Sequence, residues 1–274
     1  MKNTLPLVIL ALSLLFSCAE QTPVEYGSNN GKYATLFNKK IYYEEYGQGP
    51  PLLLLQGGMG SIKDFEKCIP ELSKRYRVIA PDTPGQGRSE LADNVSYQVI
   101  ADFMSEFINS MELDSVYIMG WSDGGIAALL LAESRPDKVK KVMAVGANNG
   151  VIGVLPPGVD MSAVSPDSDE IFEKNNKEWI DNYMKTMPRD WKKLVKDLNK
   201  MWYAPEYFPK SMLERITIPV MIAQGDQDMI RLEHAIELHR AIKNSEFCVI
   251  PKSSHAVFTD RPELINKIAT EFFR

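Results

Sequence analysis

The chain has 274 residues, 45% of them apolar, with 31 Lys and Arg against 36 Asp and Glu, a net charge of −5 and a pI near 5.4. That length suits one sizeable core with insertions rather than two independent cores. The acidic balance and the lack of a long Lys and Arg run argue against nucleic acid as a partner.

In chain order, Lys2 precedes a 12-residue apolar run from Leu5 to Phe16. A helix crossing a bilayer needs about 20 such residues, so the run reads as a secretory signal. Leu15-Phe16-Ser17-Cys18 resembles the lipobox of bacterial lipoproteins. The resemblance implies a signal peptide over 1–17, acylation of Cys18, and an exported protein anchored in a bacterial membrane, on its periplasmic side or in the outer membrane. Several acyl chains on one residue give stable anchoring where one chain does not. Residues 18–32, polar and carrying Gly27, Asn29, Asn30 and Gly31, are expected to form a tether. The other two cysteines, Cys68 and Cys248, sit in apolar segments far apart and are expected to be buried free thiols.

From residue 33 short apolar runs of the buried-strand type alternate with helical patterns. Lys40 to Tyr46, Pro51 to Leu55, Tyr76 to Ala80, Val116 to Met119, Val139 to Val145, Ile216 to Ala223 and Glu246 to Ile250 are expected strands. Phe65 to Lys74, Tyr97 to Met111, Gly124 to Glu133, Leu232 to Ile242 and Pro262 to Phe273 are expected helices. Such alternation implies an α/β domain over 33–274, a mostly parallel sheet covered on both faces. It breaks at about 150–214, where Trp179, Trp191, Trp202, Tyr183, Tyr203, Tyr207 and several Met residues lie in an otherwise charged helical stretch. This stretch is expected to form a small helical cap, with about half of these side chains serving only to dock it.

Ser115 to Met119 is a strand running into Gly120-Trp121-Ser122-Asp123-Gly124 and then into a helix. A G-x-S-x-G in that context is a nucleophile elbow, because small residues two positions either side allow the sharp turn that exposes the serine. A serine hydroxyl needs a base, and the chain has three histidines. His234 and His239 lie in an amphipathic helix, where a surface histidine is the ordinary explanation. His255 lies in a loop after the last strand, where catalytic groups are commonly carried. The base needs a carboxylate in turn, and Asp226 and Asp228, closing the strand before, both compete.

These residues, in the order Ser, Asp, His, resemble the α/β-hydrolase family, and Pro81 to Ser89 resembles its D-x-x-G-x-G-x-S turn. The resemblance covers residues 33 to 274. It implies an α/β-hydrolase fold, a catalytic triad of Ser122, Asp228 and His255, a turn role for Asp226, and an oxyanion hole from the N–H groups of Gly58 and Asp123. Gln56 stands where relatives commonly carry His. Within the family, Gly120 to Gly125 and Lys141 to Asn148 are most similar to the group that includes valacyclovir hydrolase. The implied activity is hydrolysis of a small carboxylic ester, an α-amino acid ester among the candidates, through an acyl-Ser122 intermediate, with no metal or cofactor. An amidase, an acyltransferase, a carbon-carbon bond hydrolase or a non-catalytic binding lipoprotein are the alternatives. Asp123, Trp121 and Trp202 are candidate substrate contacts. Asp123 carries two readings, a cap on the helix Gly124 to Glu133 or a carboxylate facing a substrate amine.

Overall fold

The computed structural model describes residues 25–27, 31–160, 164–186 and 190–274, so Cys18 and the signal peptide over 1–17 lie outside the described residues. Within them the strands are β1 (Lys32–Leu36), β2 (Lys39–Tyr46), β3 (Pro51–Leu55), β4 (Arg77–Pro81), β5 (Val116–Trp121), β6 (Val139–Val145), β7 (Val220–Gly225) and β8 (Ser245–Ile250). They form one sheet in the order β1-β2-β4-β3-β5-β6-β7-β8, antiparallel at β1 and β2 and parallel from β4 to β8. The expected α/β-hydrolase fold is therefore present.

Alternation along the strands explains why both faces need helices. Leu53, Leu55, Ile79, Ile118, Val142, Ala144 and Ile222 are buried on one face with Ile100, Met104 and Phe107 of α2 (Tyr97–Ser110) and Ile126 and Leu129 of α3 (Asp123–Ser134). Leu52, Leu54, Val78, Met119, Met143, Val145 and Ala223 are buried on the other face. Their partners include Ile69 and Leu72 of α1 (Ile69–Leu72) and Ile265, Ala269 and Phe272 of the last helix. Strands buried on both sides are the mark of a parallel sheet.

Between β6 and β7 lie α4 (Asp169–Asn175), α5 (Lys177–Thr186), α6 (Trp191–Trp202) and α7 (Lys210–Glu214). This helical insertion sits over the ends of the strands where the chain leaves them. Trp179 Nε1 donates to the Met59 carbonyl at 2.7 Å, and Tyr183 OH donates to the Gly85 carbonyl at 2.8 Å. After β7 come α8 (Leu232–Ala241), α9 (Val257–Asp260) and α10 (Pro262–Phe272).

Four expectations need correction. The helix expected from Phe65 to Lys74 is instead a 3₁₀ turn at Ile62–Phe65 and the short α1, where Pro70 is accepted only in the first turn because it has no N–H. The strand expected to begin at Ile216 begins at Val220, just past Pro219, which cannot donate to the ladder. The stretch read as tether up to residue 32 reaches the sheet. Lys32 pairs with Tyr43, Gly31 N donates to Tyr42 OH at 2.9 Å, and Gly27 N donates to the Glu44 carboxylate at 2.8 Å. The described cysteines are free thiols; Cys68 is buried as expected, whereas Cys248, near the sheet edge on β8, is only half-buried.

Candidate active site

Ser122 follows β5 directly and precedes α3, with φ 52° and ψ −118°. A non-glycine residue at positive φ is strained, and the strain is held by the strand before and the helix after. Ser122 N donates to the Val145 carbonyl at 2.8 Å, and its own carbonyl accepts from Ile126 N at 3.0 Å. The turn also needs glycine at 124, because a Cβ there would lie 2.1 Å from the Leu55 carbonyl oxygen.

His255 lies in the loop between β8 and α9, and its Nδ1 is 2.8 Å from Asp228 Oδ1. A carboxylate can only accept, so Nδ1 carries a proton, and in the neutral imidazole Nε2 is the nitrogen with the free lone pair. Asp228 has a fully buried side chain, and the same oxygen accepts from Ile230 N at 2.9 Å. Asp226 turns the other way. Its carboxylate takes Ser253 N at 3.0 Å, and that backbone hydrogen bond, first among its causes, holds it below the usual carboxylate range. It ties down the loop that carries His255, while Asp228 faces the imidazole.

The imidazole rests on Gly146, which follows β6. Gly146 has φ +62°, and a Cβ there would come within 2.9 Å of His255 Cε1. Sequence reasoning passed over this residue, although a glycine closing a buried strand is a signal of close approach. Trp121 Nε1 donates to the His255 carbonyl at 2.8 Å, and the two rings stand 5.7 Å apart. Trp121 thus packs behind His255 with Phe258, and not on the cavity wall where a substrate contact would be.

Ser122, Asp123, Gly58, His255 and Trp202 do meet at one cavity of about 620 Å³ beneath the cap. Val151, Val154, Leu155, Val164, Met229 and Ile230 give it apolar walls, and Tyr97, Asn148, Tyr203 and Tyr207 add polar groups. Gly58 is packed so tightly that a Cβ on it would lie 2.4 Å from Asp123 Oδ2 and 2.5 Å from the Trp202 ring. Gln56, two residues earlier, is buried. With its amide nitrogen facing the Pro81 carbonyl at 3.0 Å, its oxygen accepts from Thr83 N at 2.7 Å and Thr83 Oγ1 at 2.9 Å, which fixes the loop from below.

Asp123 is 3% exposed, and its carboxylate accepts from Trp202 Nε1 at 2.9 Å and from Tyr97 OH at 2.9 Å. No backbone N–H of its helix takes part in these bonds, so it does not serve as the helix cap that one reading expected. Burial pushes its pKa up to about 6, against the opposing pull of Trp202, Tyr97 and the nearby His255. Tyr97 had no signal in the sequence beyond its place at the start of α2.

His234 departs from its reading as a surface residue. It is 4% exposed, and its Nε2 accepts from Asn149 N at 2.9 Å. Asn149 in turn binds the chain at 207–208 through Tyr207 N and Phe208 N, both at 3.0 Å. The pair fastens the segment after β6 to α8 and to the cap. His239 is half-exposed, with Nδ1 2.8 Å from Ser245 Oγ.

A strained serine on a strand-to-helix turn, a histidine held by a buried aspartate, and a cap over the sheet's carboxyl ends define a hydrolase of the α/β class. The family described as alpha/beta hydrolase fold matches residues 50–193, and the chain belongs to that family. It is similar to human serine hydrolase BPHL, 25% identical over 86% of this chain and 83% of that one. It is also similar to the pimeloyl-[acyl-carrier protein] methyl ester esterase of Aeromonas hydrophila, 24% identical over 85% and 98%. The solved enol-lactonase of Burkholderia xenovorans superposes with a TM-score of 0.70 over 88% of this chain and 99% of that one; at 17% identity this speaks to the fold alone.

Proposed function

We propose that the protein cleaves small carboxylic esters through an acyl-Ser122 intermediate and prefers esters of α-amino acids. His255 Nε2 takes the Ser122 proton as Oγ attacks the carbonyl, and Asp228 holds the imidazolium that forms. The N–H groups of Gly58 and Asp123 stabilise the oxyanion; that of Asp123 heads α3 and so has no acceptor within the helix. The leaving alcohol takes its proton from His255, and water then resolves the acyl-enzyme by the same route.

The observation that carries the amine preference is the Asp123 carboxylate, buried in the cavity wall next to the nucleophile and bonded by the neutral donors Trp202 and Tyr97. A buried carboxylate met by neutral donors retains an uncompensated charge, which an ammonium close to the scissile carbonyl offsets. The similarity to esterases supports ester cleavage. Attachment to the membrane belongs to the same proposal. Cys18 follows the signal peptide over 1–17 and carries the lipid, placing the exported domain at a bacterial membrane surface. Among the described residues no helix is long and apolar enough to cross a membrane.

The test compares alanine methyl ester with its uncharged analogue, methyl propionate, in wild type and in Asp123→Asn. Wild type is expected to favour the amine by about 10-fold or more in kcat/KM, one charge-assisted contact being worth about 1.5–3 kcal/mol, and the variant to lose that preference. A wild type with no preference, or a preference that survives in the variant, removes Asp123 from substrate recognition.

A further inference from the structure

The described chain enters the sheet at the same end of the molecule as the cavity. The carboxyl ends of the parallel strands carry the site, and β4 finishes there at Pro81. Pro81 pairs with Tyr43, which pairs with Lys32, the first residue of β1, so the chain enters the sheet at that end. Gly27 lies there too, beside Ser61 and Lys63 just after the loop that holds Gly58, with its carbonyl accepting from Arg88 Nε at 2.7 Å. From Cys18 to Glu25 is seven residues, which fully extended span at most about 25 Å. A domain of this size is about 45 Å across. An anchor on Cys18 therefore keeps the bilayer against the half of the molecule that carries the cavity.

Exposed apolar side chains lie next to residues that line the cavity. Met229 is 59% exposed, Ile152 45% and Leu232 42%. Val151 and Val154 flank Ile152 and line the cavity, as do Met229 and Ile230 just before Leu232, so Ile152 and Leu232 lie beside the cavity wall without lining it. Arg231 binds the two segments together, its N–H donating to the Gly153 carbonyl at 2.8 Å and its Nη2 to the Ile152 carbonyl at 3.1 Å. A single exposed apolar residue on a surface is ordinary; three on one braced rim around an active-site mouth mark a contact surface.

We infer that the rim of Ile152, Met229 and Leu232 rests on the bilayer, and that the substrate is a membrane lipid whose headgroup carries an α-amino acid ester. This rests on the amine-ester reading and the Cys18 anchor proposed above. The amino group meets Asp123, the ester carbonyl meets Ser122, and the lipid alcohol points out through the mouth while the acyl tails stay in the bilayer. Ser122 Oγ bonds to the carbonyl carbon, the bond from that carbon to the lipid oxygen breaks, and the lipid alcohol leaves with the proton from His255. Water then cleaves the acyl-Ser122 bond and frees the amino acid. An apolar rim at the headgroup boundary contributes to such docking through its buried area.

The full chain, with its lipid, is reconstituted in phosphatidylglycerol vesicles containing phosphatidylglycerol esterified with alanine, and alanine release is followed. Alanine methyl ester is assayed with the same vesicles. Wild type is expected to hydrolyse both. The double variant Ile152→Asp, Leu232→Asp is expected to lose about 10-fold or more on the vesicle ester, because charged side chains resist entry into the bilayer. It is expected to keep the methyl ester within about twofold, both residues lying outside the cavity lining. The milder Ile152→Ser, Leu232→Ser pair is expected to show the same selective loss, and the methyl ester reports folding for each. If wild type cleaves the methyl ester but not the vesicle ester, or the variants change both rates alike or neither, the lipid inference is overturned and the amine-ester reading stands. If wild type cleaves neither, the ester reading falls and takes this one with it.

Discussion

Trp202, the last residue of cap helix α6, donates its indole N–H to the Asp123 carboxylate at 2.9 Å, joining the cap to the residue beside Ser122. Tyr97 OH reaches the same carboxylate from α2, and Tyr207 OH donates to the Trp202 carbonyl at 3.0 Å. Whatever moves the cap must therefore change the environment of Asp123.

The pH dependence of stability follows from that carboxylate. An unfolded aspartate ionises near 3.8, whereas burial raises Asp123 to about 6 in the fold. Between those values the native state binds more protons than the unfolded state, so the group costs stability as pH rises through 6 and costs nothing below 3.8. The full difference is worth about 3 kcal/mol. Asp123→Asn is accordingly expected to raise the melting temperature at pH 7.5 and to have little effect at pH 4. Melting curves across that range decide the matter, and an equal shift at both ends contradicts the burial argument.

Ser122→Ala is expected to lower turnover of an activated ester by about 10³-fold or more, and His255→Ala by a similar factor, since triad members act as a unit. Steady-state kinetics with a chromogenic ester test both; near-normal activity in either variant removes the proposed mechanism.

The two remaining histidines should separate in stability. Burial holds His234 below the usual histidine pKa, so its neutral form is the native one. The unfolded chain takes up a proton near 6.5 and the native one does so only at lower pH, so this contribution is present above 6.5 and lost as pH falls below it. His234→Ala, which also leaves Asn149 N–H without its acceptor, is expected to cost about 1–3 kcal/mol at pH 7.5. His239→Ala is expected to cost under about 1 kcal/mol. Denaturant titrations of the two variants measure the difference.

Gly58→Ala tests the oxyanion loop. The added methyl meets Asp123 and the Trp202 ring at contact distances no carbon atom tolerates, so the loop must shift. A loss of about 10²-fold or more in kcat is expected, the size of losing one oxyanion donor, with the fold retained. Unchanged kcat with a normal circular dichroism spectrum takes Gly58 out of the oxyanion hole.

Cys18→Ala is expected to abolish metabolic labelling by a fatty acid and to release the protein from the membrane fraction or leave it unprocessed. Label persisting on the variant places the anchor elsewhere.

The features legible in the sequence are those written within a few consecutive residues. The turn at Ser122 is encoded by a strand, two flanking glycines and a helix start, and buried strands show as short apolar runs whatever they later pair with. The same holds for the position of His255 in a loop after the last strand. What tertiary structure alone decided is which side chains face each other. Asp226 and Asp228 are equivalent in the sequence, and only the path of the β8–α9 loop turns one toward Ser253 N and the other toward the imidazole. Trp121 and Trp202 are both candidate substrate contacts in the sequence, but the first lies behind His255, whereas the second, 79 residues beyond Asp123 in the chain, reaches the cavity wall and the Asp123 carboxylate. His234 carries an amphipathic helical pattern around it, yet the segment after β6 folds over it and buries it. Local backbone geometry is set by neighbouring residues, whereas burial and hydrogen-bond partners are set by elements distant in the chain, and their packing has no signature in any short window of sequence.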